Sequence, residues 1–414
     1  MTQDLQKLER LITFLPYNLV EEVVVDGIRL EPRVRWEEGC LLSAELSLVA
    51  PRTPRTESIH EDEQVARAGA ELTLALRRIL EDAVFPRGGY LLKFSDAGVL
   101  VMFTRRCPGA GGWSNAEHAA EAGRAARCGL ELLQSLKTVL PNRFTLRAGV
   151  EMGRFRLALC GRPDERLEQL ALGSLCKTVS QLRASAGPGE LVAGPKLIGA
   201  LSGLDAHVGP RRGAGRRLMN MPAQAAGEPL RIVDLRSLLM QAPRRHLEQL
   251  RVLMPPAIRG RVEDTQTLTD GSEVRPITVA AFPLDVDVPD DADDDAVLLD
   301  VGGGVLRLLD GVEQNGGQLL HLDVLGGGSA AVAVFGVGDT QKRAARSAVE
   351  CALMLARRMG SKRTSWTLRA GLETGRAYLG EIGSPLKREL AVVGGATTGQ
   401  VLVGDQAWKL CSPM

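Results

Sequence analysis

Residues 145–161 read TLRAGVEMGRFRLALCG, and residues 367–383 read TLRAGLETGRAYLGEIG. Ten of the seventeen positions are identical, and the copies start 367 − 145 = 222 residues apart. A repeat of that length and spacing in a 414-residue chain predicts two copies of one domain. Alternation of Leu146, Ala148 and Val150, and of Leu368, Ala370 and Leu372, predicts a strand in each copy. The Gly-Arg that follows predicts a tight turn into a second strand, over 155–159 and 377–379.

The flanking segments repeat in the same order. Residues 8–23, LERLITFLPYNLVEEV, predict a helix broken at Pro16, and residues 247–262, LEQLRVLMPPAIRGRV, echo it with proline at the same offset. A strand over 40–49 matches one over 277–284, and each is followed by a polar loop, 51–63 and 285–295. A helix over 65–84 has its counterpart over 296–315. Gly88-Gly89 and Gly316-Gly317 then turn into hairpins over 90–103 and 318–335. Helices over 115–140 and 342–359 lead back to the opening stretch. Each copy therefore reads strand, helix, strand, strand, helix, strand. That is the ferredoxin-like βαββαβ order, so the expected class is α+β with two such domains. Paired about an intramolecular pseudo-two-fold axis, they would leave a ligand cleft at their interface. The expected domains are 1–200 with its lead-in helix, a connector over 201–246 with one helix near 235–241, and 247–414, shortened towards its C-terminus.

Composition excludes several classes. A hydrophobic share of 44% and a charged share of 24% are those of a globular protein, and no apolar run approaches the ~20 residues of a membrane span. A net charge of +1 gives no global attraction to nucleic acid or to an anionic membrane. Seven cysteines, an odd number without a C-x-x-C pair, predict reduced thiols in a cytoplasmic protein. The arginine-rich stretch 209–217, GPRRGAGRR, lacks aromatic interleaving and reads as a solvated loop, so nucleic acid is not an expected partner. The acidic run from Asp285 to Asp295 lacks the spaced ligands of a calcium loop and reads as a solvated loop too. Gly302–Gly304 and Gly326–Gly328 lack the Lys-Ser/Thr of a phosphate loop and read as turns.

These pieces together resemble the tandem catalytic domains of class III nucleotidyl cyclases, above all the soluble adenylyl cyclases and their bacterial homologues with two cyclase domains in one chain. The matching residues are FLP at 14–16, GGYLLKFSDAGVLVMF at 88–103, TLRAGVEMG at 145–153, RPITV at 275–279, GGQLLHLDVL at 316–325, VAVFG at 332–336, TLRAGLETG at 367–375 and GQVLVGDQAWKL at 399–410. The resemblance implies a site where two aspartates of one domain hold two divalent metals, Mg²⁺ or Mn²⁺, while the other domain reads the base and steadies the transition state. Relatives carry further regions after these domains, so a chain ending at Met414 is expected to be a fragment or a protein reduced to the pair.

Mapped through that resemblance, the first metal aspartate becomes Glu45, and the second becomes Asp96, displaced by one position in its hairpin turn. The base-reading lysine falls on His321, and its partner falls on Ala391, near Arg388 in KRELAVVGG. Lys93 holds the matching place in the first copy, where the soluble cyclases use a lysine to bind bicarbonate. The late helix with Asn-x-x-x-Arg is expected to be missing near 396–399. The expectation is a catalytically degenerate tandem cyclase that serves as a regulatory or assembly module with a protein partner. Glu45 and Asp96 are its candidate metal residues, and Lys93, His321 and Arg388 its candidate nucleotide or anion contacts. The alternative is an active adenylyl cyclase that converts ATP to cyclic AMP with a shifted metal site.

Overall fold

The computed structural model describes residues 3–12, 15–48, 82–95, 98–104, 113–139, 144–222, 235–256, 259, 273–323, 330–337, 343–359, 366–379 and 401–403. Helices α1 (Gln3–Ile12) and α2 (Tyr17–Val24) open the chain on either side of Pro16, as the repeat predicts. The first half continues with β1 (Arg33–Leu48), β2 (Tyr90–Ser95), β3 (Gly98–Phe103), α3 (Asn115–Val139), β4 (Phe144–Arg162), β5 (Arg166–Leu172) and α4 (Ser174–Ser185). It ends with β6 (Leu191–Ala193), α5 (Pro195–Leu201), β7 (His207–Arg212) and β8 (Gly215–Asn220). Helices α6 (Leu235–Leu239) and α7 (Pro243–Leu250) precede the second half. That half holds β9 (Glu273–Val286), α8 (Asp294–Gln314), β10 (Gly317–Asp323), β11 (Ala330–Phe335), α9 (Ala344–Met359), β12 (Trp366–Leu368), β13 (Ala370–Leu379) and β14 (Val401–Val403). The helix expected over 65–84 lies outside the described residues except for its last turn.

Two sheets repeat one strand order. The first runs β2-β3-β1-β4-β6-β8-β7 with β5 paired to β4, and the second runs β10-β11-β9-β13-β14 with β12 paired to β9. The first four strands of each list have the ferredoxin-like order, and β6 and β14 add in parallel beside them. The fold class is α+β. Register sharpens the repeat. Ser43 faces Gly149 and Ala281 faces Gly371, which are mates in the duplicated stretch. The register of both hairpins slips by one residue at the same place, between Leu91 and Lys93 and between Leu319 and His321. Such a slip re-aims the following side chain, so Lys93 and His321 are structural equivalents.

Three expectations are corrected. No turn interrupts the repeat at Gly153, because β4 and β13 each run straight through the Gly-Arg pair. β1 pairs with β4 along its whole length, from Arg33–Leu159 to Leu48–Phe144, with Gly39 opposite Gly153, so the ladder carries the strand past the glycine. The chain turns later, over 163–165, just after Gly161 takes a φ of 129° within β4. Second, Gly302–Gly304 lie inside α8, not in a turn. Gly304 is needed for packing: a Cβ there would meet the buried Trp366 ring at 2.2 Å. Third, the connector expected over 201–246, with its arginine-rich stretch 209–217 read as a loop, holds the β7–β8 hairpin over 207–220. β8 joins the sheet on β6, and Glu190 ties the hairpin down by accepting from Arg212 at 2.9 and 3.0 Å and pairing with Arg217. Gly326–Gly328 lie outside the described residues.

The Glu190 tie carries a pH prediction. The Arg212 hydrogen bonds, and then the Gly187 backbone bond and the two guanidinium charges, outweigh burial and hold its carboxyl at about 2, against an ordinary 4.5. A depressed carboxyl stabilises the fold fully above its unfolded value, and the contribution is lost as pH falls from about 4.5 towards 2. With the arginines partly solvated, Glu190→Gln is expected to cost about 1–2 kcal/mol at pH 7 and almost nothing near pH 2 in denaturant titrations. An equal loss at both pH values would contradict the assignment.

The halves share two cores. Leu8, Leu19, Val20 and Val23 of the first lead-in helices pack with Leu239, Leu250, Val252 and Leu253 of the second. Ala158, Cys160, Leu170 and Leu172 of the β4–β5 arm enter the core that α8 and α9 form over the second sheet. Burying a Leu side chain stabilises by roughly 1.5–3 kcal/mol, so the arm is an integral part of that core.

Candidate functional site

The site grows from the opening repeat. Side chains alternate along β1, and Ser43 and Glu45 share a face with Gly149 and Arg147 of β4, which lie directly opposite them. α4 covers this face through a core of Leu41, Leu92, Leu100, Phe155, Leu157, Cys176 and Val179. It comes very close at Gly149, where a Cβ would stand 2.4 Å from the Arg183 backbone nitrogen and 2.6 Å from the Val179 carbonyl oxygen. That approach delivers Arg183. Its guanidinium donates to Ser43 Oγ at 2.9 Å, and its Nε lies 3.5 Å from Glu45 Oε2. Arg147 donates to Glu45 Oε1 at 2.8 Å. Both carboxylate oxygens of Glu45 thus face guanidinium groups, in a cluster that still reaches solvent.

These surroundings do not fit a divalent metal. Mg²⁺ requires near-octahedral oxygen ligands at about 2.0–2.1 Å, and here the carboxylate is already committed to two cations. At an effective dielectric of about 20, a dication about 5 Å from one guanidinium is opposed by roughly 7 kcal/mol. Among the described residues no group of three or more His, Cys, Asp and Glu side chains is arranged to hold a metal ion. In the second half the register puts Pro283 at the place equivalent to Glu45, so no carboxylate stands there. Asp96, Arg388 and Ala391, and the shortening near 396–399, lie outside the described residues.

A second cluster gathers Lys93 and His321, one residue from each half. Lys93 Nζ lies 3.4 Å from Glu168 Oε2 on β5, Arg166 binds the other oxygen, and the field of His321 also acts on this carboxylate. Burial of Glu168 works to raise its pKa. The Arg166 and Lys93 charges, the Arg166 hydrogen bond and His321 together outweigh it, so the carboxyl titrates below its ordinary range. Lys93, a candidate ligand contact, is therefore paired with a carboxylate of the chain itself, and His321 acts on the same carboxylate through its charge. Sequence reasoning missed Glu168 and Arg166 because β5 carries no repeat mate among the described residues.

The acidic run is exposed at Asp287, Asp290, Asp291, Asp293 and Asp295, as expected, but it is more than a solvated loop. It is the strip on which the first half docks. Arg156, fully buried, donates to Asp294 at 2.8 Å, to the Pro289 carbonyl at 3.0 Å, to the Asp290 carbonyl at 3.2 Å and to the Ala292 carbonyl, while its guanidinium lies 4.0 Å from the Trp36 ring centre. Asp290 accepts from the backbone and hydroxyl of Ser174 at the start of α4. The Ser174 hydroxyl is the leading reason its carboxyl titrates below the usual aspartate range. Lys177 pairs with Asp287 at 2.6 Å, and Asp293 caps α8. This segment seats α4, and with it Arg183, against the second half.

No helix among the described residues is long and apolar enough to cross a membrane. No protein-family model matches the sequence, and a search of curated proteins finds no match. Solved structures do match. A class III adenylyl cyclase-like ATP-binding protein from Pseudomonas aeruginosa is similar over 95% of this chain and 92% of its own, with a TM-score of 0.56 and 13% identity. The adenylyl cyclase CyaB from P. aeruginosa matches 47% of this chain and 98% of its own, with a TM-score of 0.36 and 14% identity. The guanylate cyclase domain of RhGC from Catenaria anguillulae in complex with GTP matches 45% and 100%, with a TM-score of 0.34 and 14% identity. The first of these likenesses spans both repeats, and it shows that the chain has the fold of the class III adenylyl/guanylyl cyclases.

Proposed function

We propose that this chain is a catalytically degenerate tandem cyclase-like protein. In this reading it acts as a regulatory or assembly module that binds a nucleotide between its halves and presents the bound state to a protein partner. The observation that carries the proposal is the pairing of Glu45 with Arg147 and Arg183, which occupies the carboxylate the cyclase reaction would give to metal. The similar P. aeruginosa protein is described as ATP-binding and cyclase-like, which makes ATP the first nucleotide to test. Lys93 and His321 act in this reading as interface groups held by Glu168. The five described cysteines are buried and form no disulfide, in keeping with a reducing, cytoplasmic setting.

Purified protein incubated with ATP or GTP and Mn²⁺ is expected to form no cyclic nucleotide. ATP at 100 times its dissociation constant is expected to stabilise the fold by about 2.7 kcal/mol in thermal shift. Cyclic AMP formation that disappears in Glu45→Ala would establish the active cyclase instead. A melting curve unmoved by millimolar nucleotide would remove nucleotide binding from the proposal.

A further inference from the structure

We infer that Arg183 and Arg147 stand in for divalent metal beside Glu45, so that a nucleoside polyphosphate binds at this cluster without Mg²⁺ or Mn²⁺. The inference rests on the nucleotide-binding reading above and specifies its chemistry. Two guanidiniums and one carboxylate leave a net positive charge among these three described side chains. Guanidinium forks match phosphate oxygens as well as carboxylate oxygens, and they need no metal to do so. The cluster is both anchored and reachable. Arg183 is held by Ser43 and by the seating of α4 on Gly149, with its side chain 16% exposed, while Glu45 is 28% and Arg147 36% exposed. Glu45 is then an internal anion that holds the two forks in register and yields to a more highly charged one.

This assigns Glu45 a role opposite in sign to that of a metal ligand. Removing a metal ligand weakens binding of the metal complex of ATP. Removing a competing internal anion tightens binding of ATP itself. The test is calorimetry on the full chain with ATP, and with inorganic tripolyphosphate as a second probe, in EDTA and in Mg²⁺. Wild type, Glu45→Gln and Arg183→Gln are compared. ATP is expected to bind in EDTA within about threefold of its affinity in Mg²⁺, to bind Glu45→Gln about tenfold more tightly, and to bind Arg183→Gln at least about tenfold more weakly. Tripolyphosphate is expected to follow the same order. Binding that requires Mg²⁺, or that weakens in Glu45→Gln, overturns the inference and leaves nucleotide binding standing. Absence of binding by either probe in both conditions overturns nucleotide binding itself. Melting of the unliganded variants identifies any loss of folding, and if Arg183→Gln is unfolded the sign of the Glu45→Gln change decides.

Discussion

Arg156→Ala is expected to destabilise the protein by about 3–5 kcal/mol, the range for removing one partner from a buried charge network. Arg156 is 1% exposed and carries four hydrogen bonds from β4 of the first half to the segment before and at the start of α8 of the second. Alanine would leave three carbonyls and the Asp294 carboxylate without this donor and would uncover one face of Trp36. Because Asp294 is partly hydrated, its own loss is cheaper, and Asp294→Asn is expected to cost about 1 kcal/mol. Lysine keeps the charge but has no planar fork, so Arg156→Lys should recover less than half of the loss. Denaturant unfolding followed by tryptophan emission measures all three. If Arg156→Ala unfolds within 1 kcal/mol of wild type, the acidic strip is not the docking element described here.

Gly149→Ala is expected to cost about 3 kcal/mol and to weaken nucleotide binding together with stability. The added Cβ would meet three backbone atoms of α4, at Arg183, Val179 and Leu182, and none of these is a flexible side-chain end. The helix would have to lift, and overpacking of this kind typically costs about 1–3 kcal/mol, more where backbone must move. A lifted α4 withdraws Arg183 from Ser43 and Glu45. Gly153→Ala in the same strand serves as a control, since its Cβ would find its nearest neighbour at 3.5 Å, an ordinary contact. Equal stability for the two variants would show that α4 does not rest on Gly149 as closely as the structure has it.

Much of the fold was legible in the sequence because duplication prints it twice. The proline-marked lead-in helices, the two hairpins and the helices over 115–139 and 344–359 all follow from matched periodicity in the two copies. The errors share a cause. The sequence predicts a turn at Gly153 and another at Gly302–Gly304, because glycine signals local backbone freedom. In the structure Gly153 sits in a long ladder and Gly304 makes room for Trp366, and neither role has a local signature. The docking contacts of the acidic run have no local signature either, since they lie some 110 to 140 residues away in the chain.

The sequence by itself determined the duplication and the α+β class, because local pattern and repeat spacing are properties of the chain alone. Only the tertiary structure decided which charged groups surround Glu45, Lys93 and His321. A carboxylate's chemistry depends on which charges stand within a few ångströms, and those charges come from Arg147 and Arg183 for Glu45, and from Glu168 for Lys93 and His321. The stretch TLRAG supplied one of them in plain view, as Arg147. It also supplied Gly149, whose missing side chain lets α4 bring Arg183 to the site.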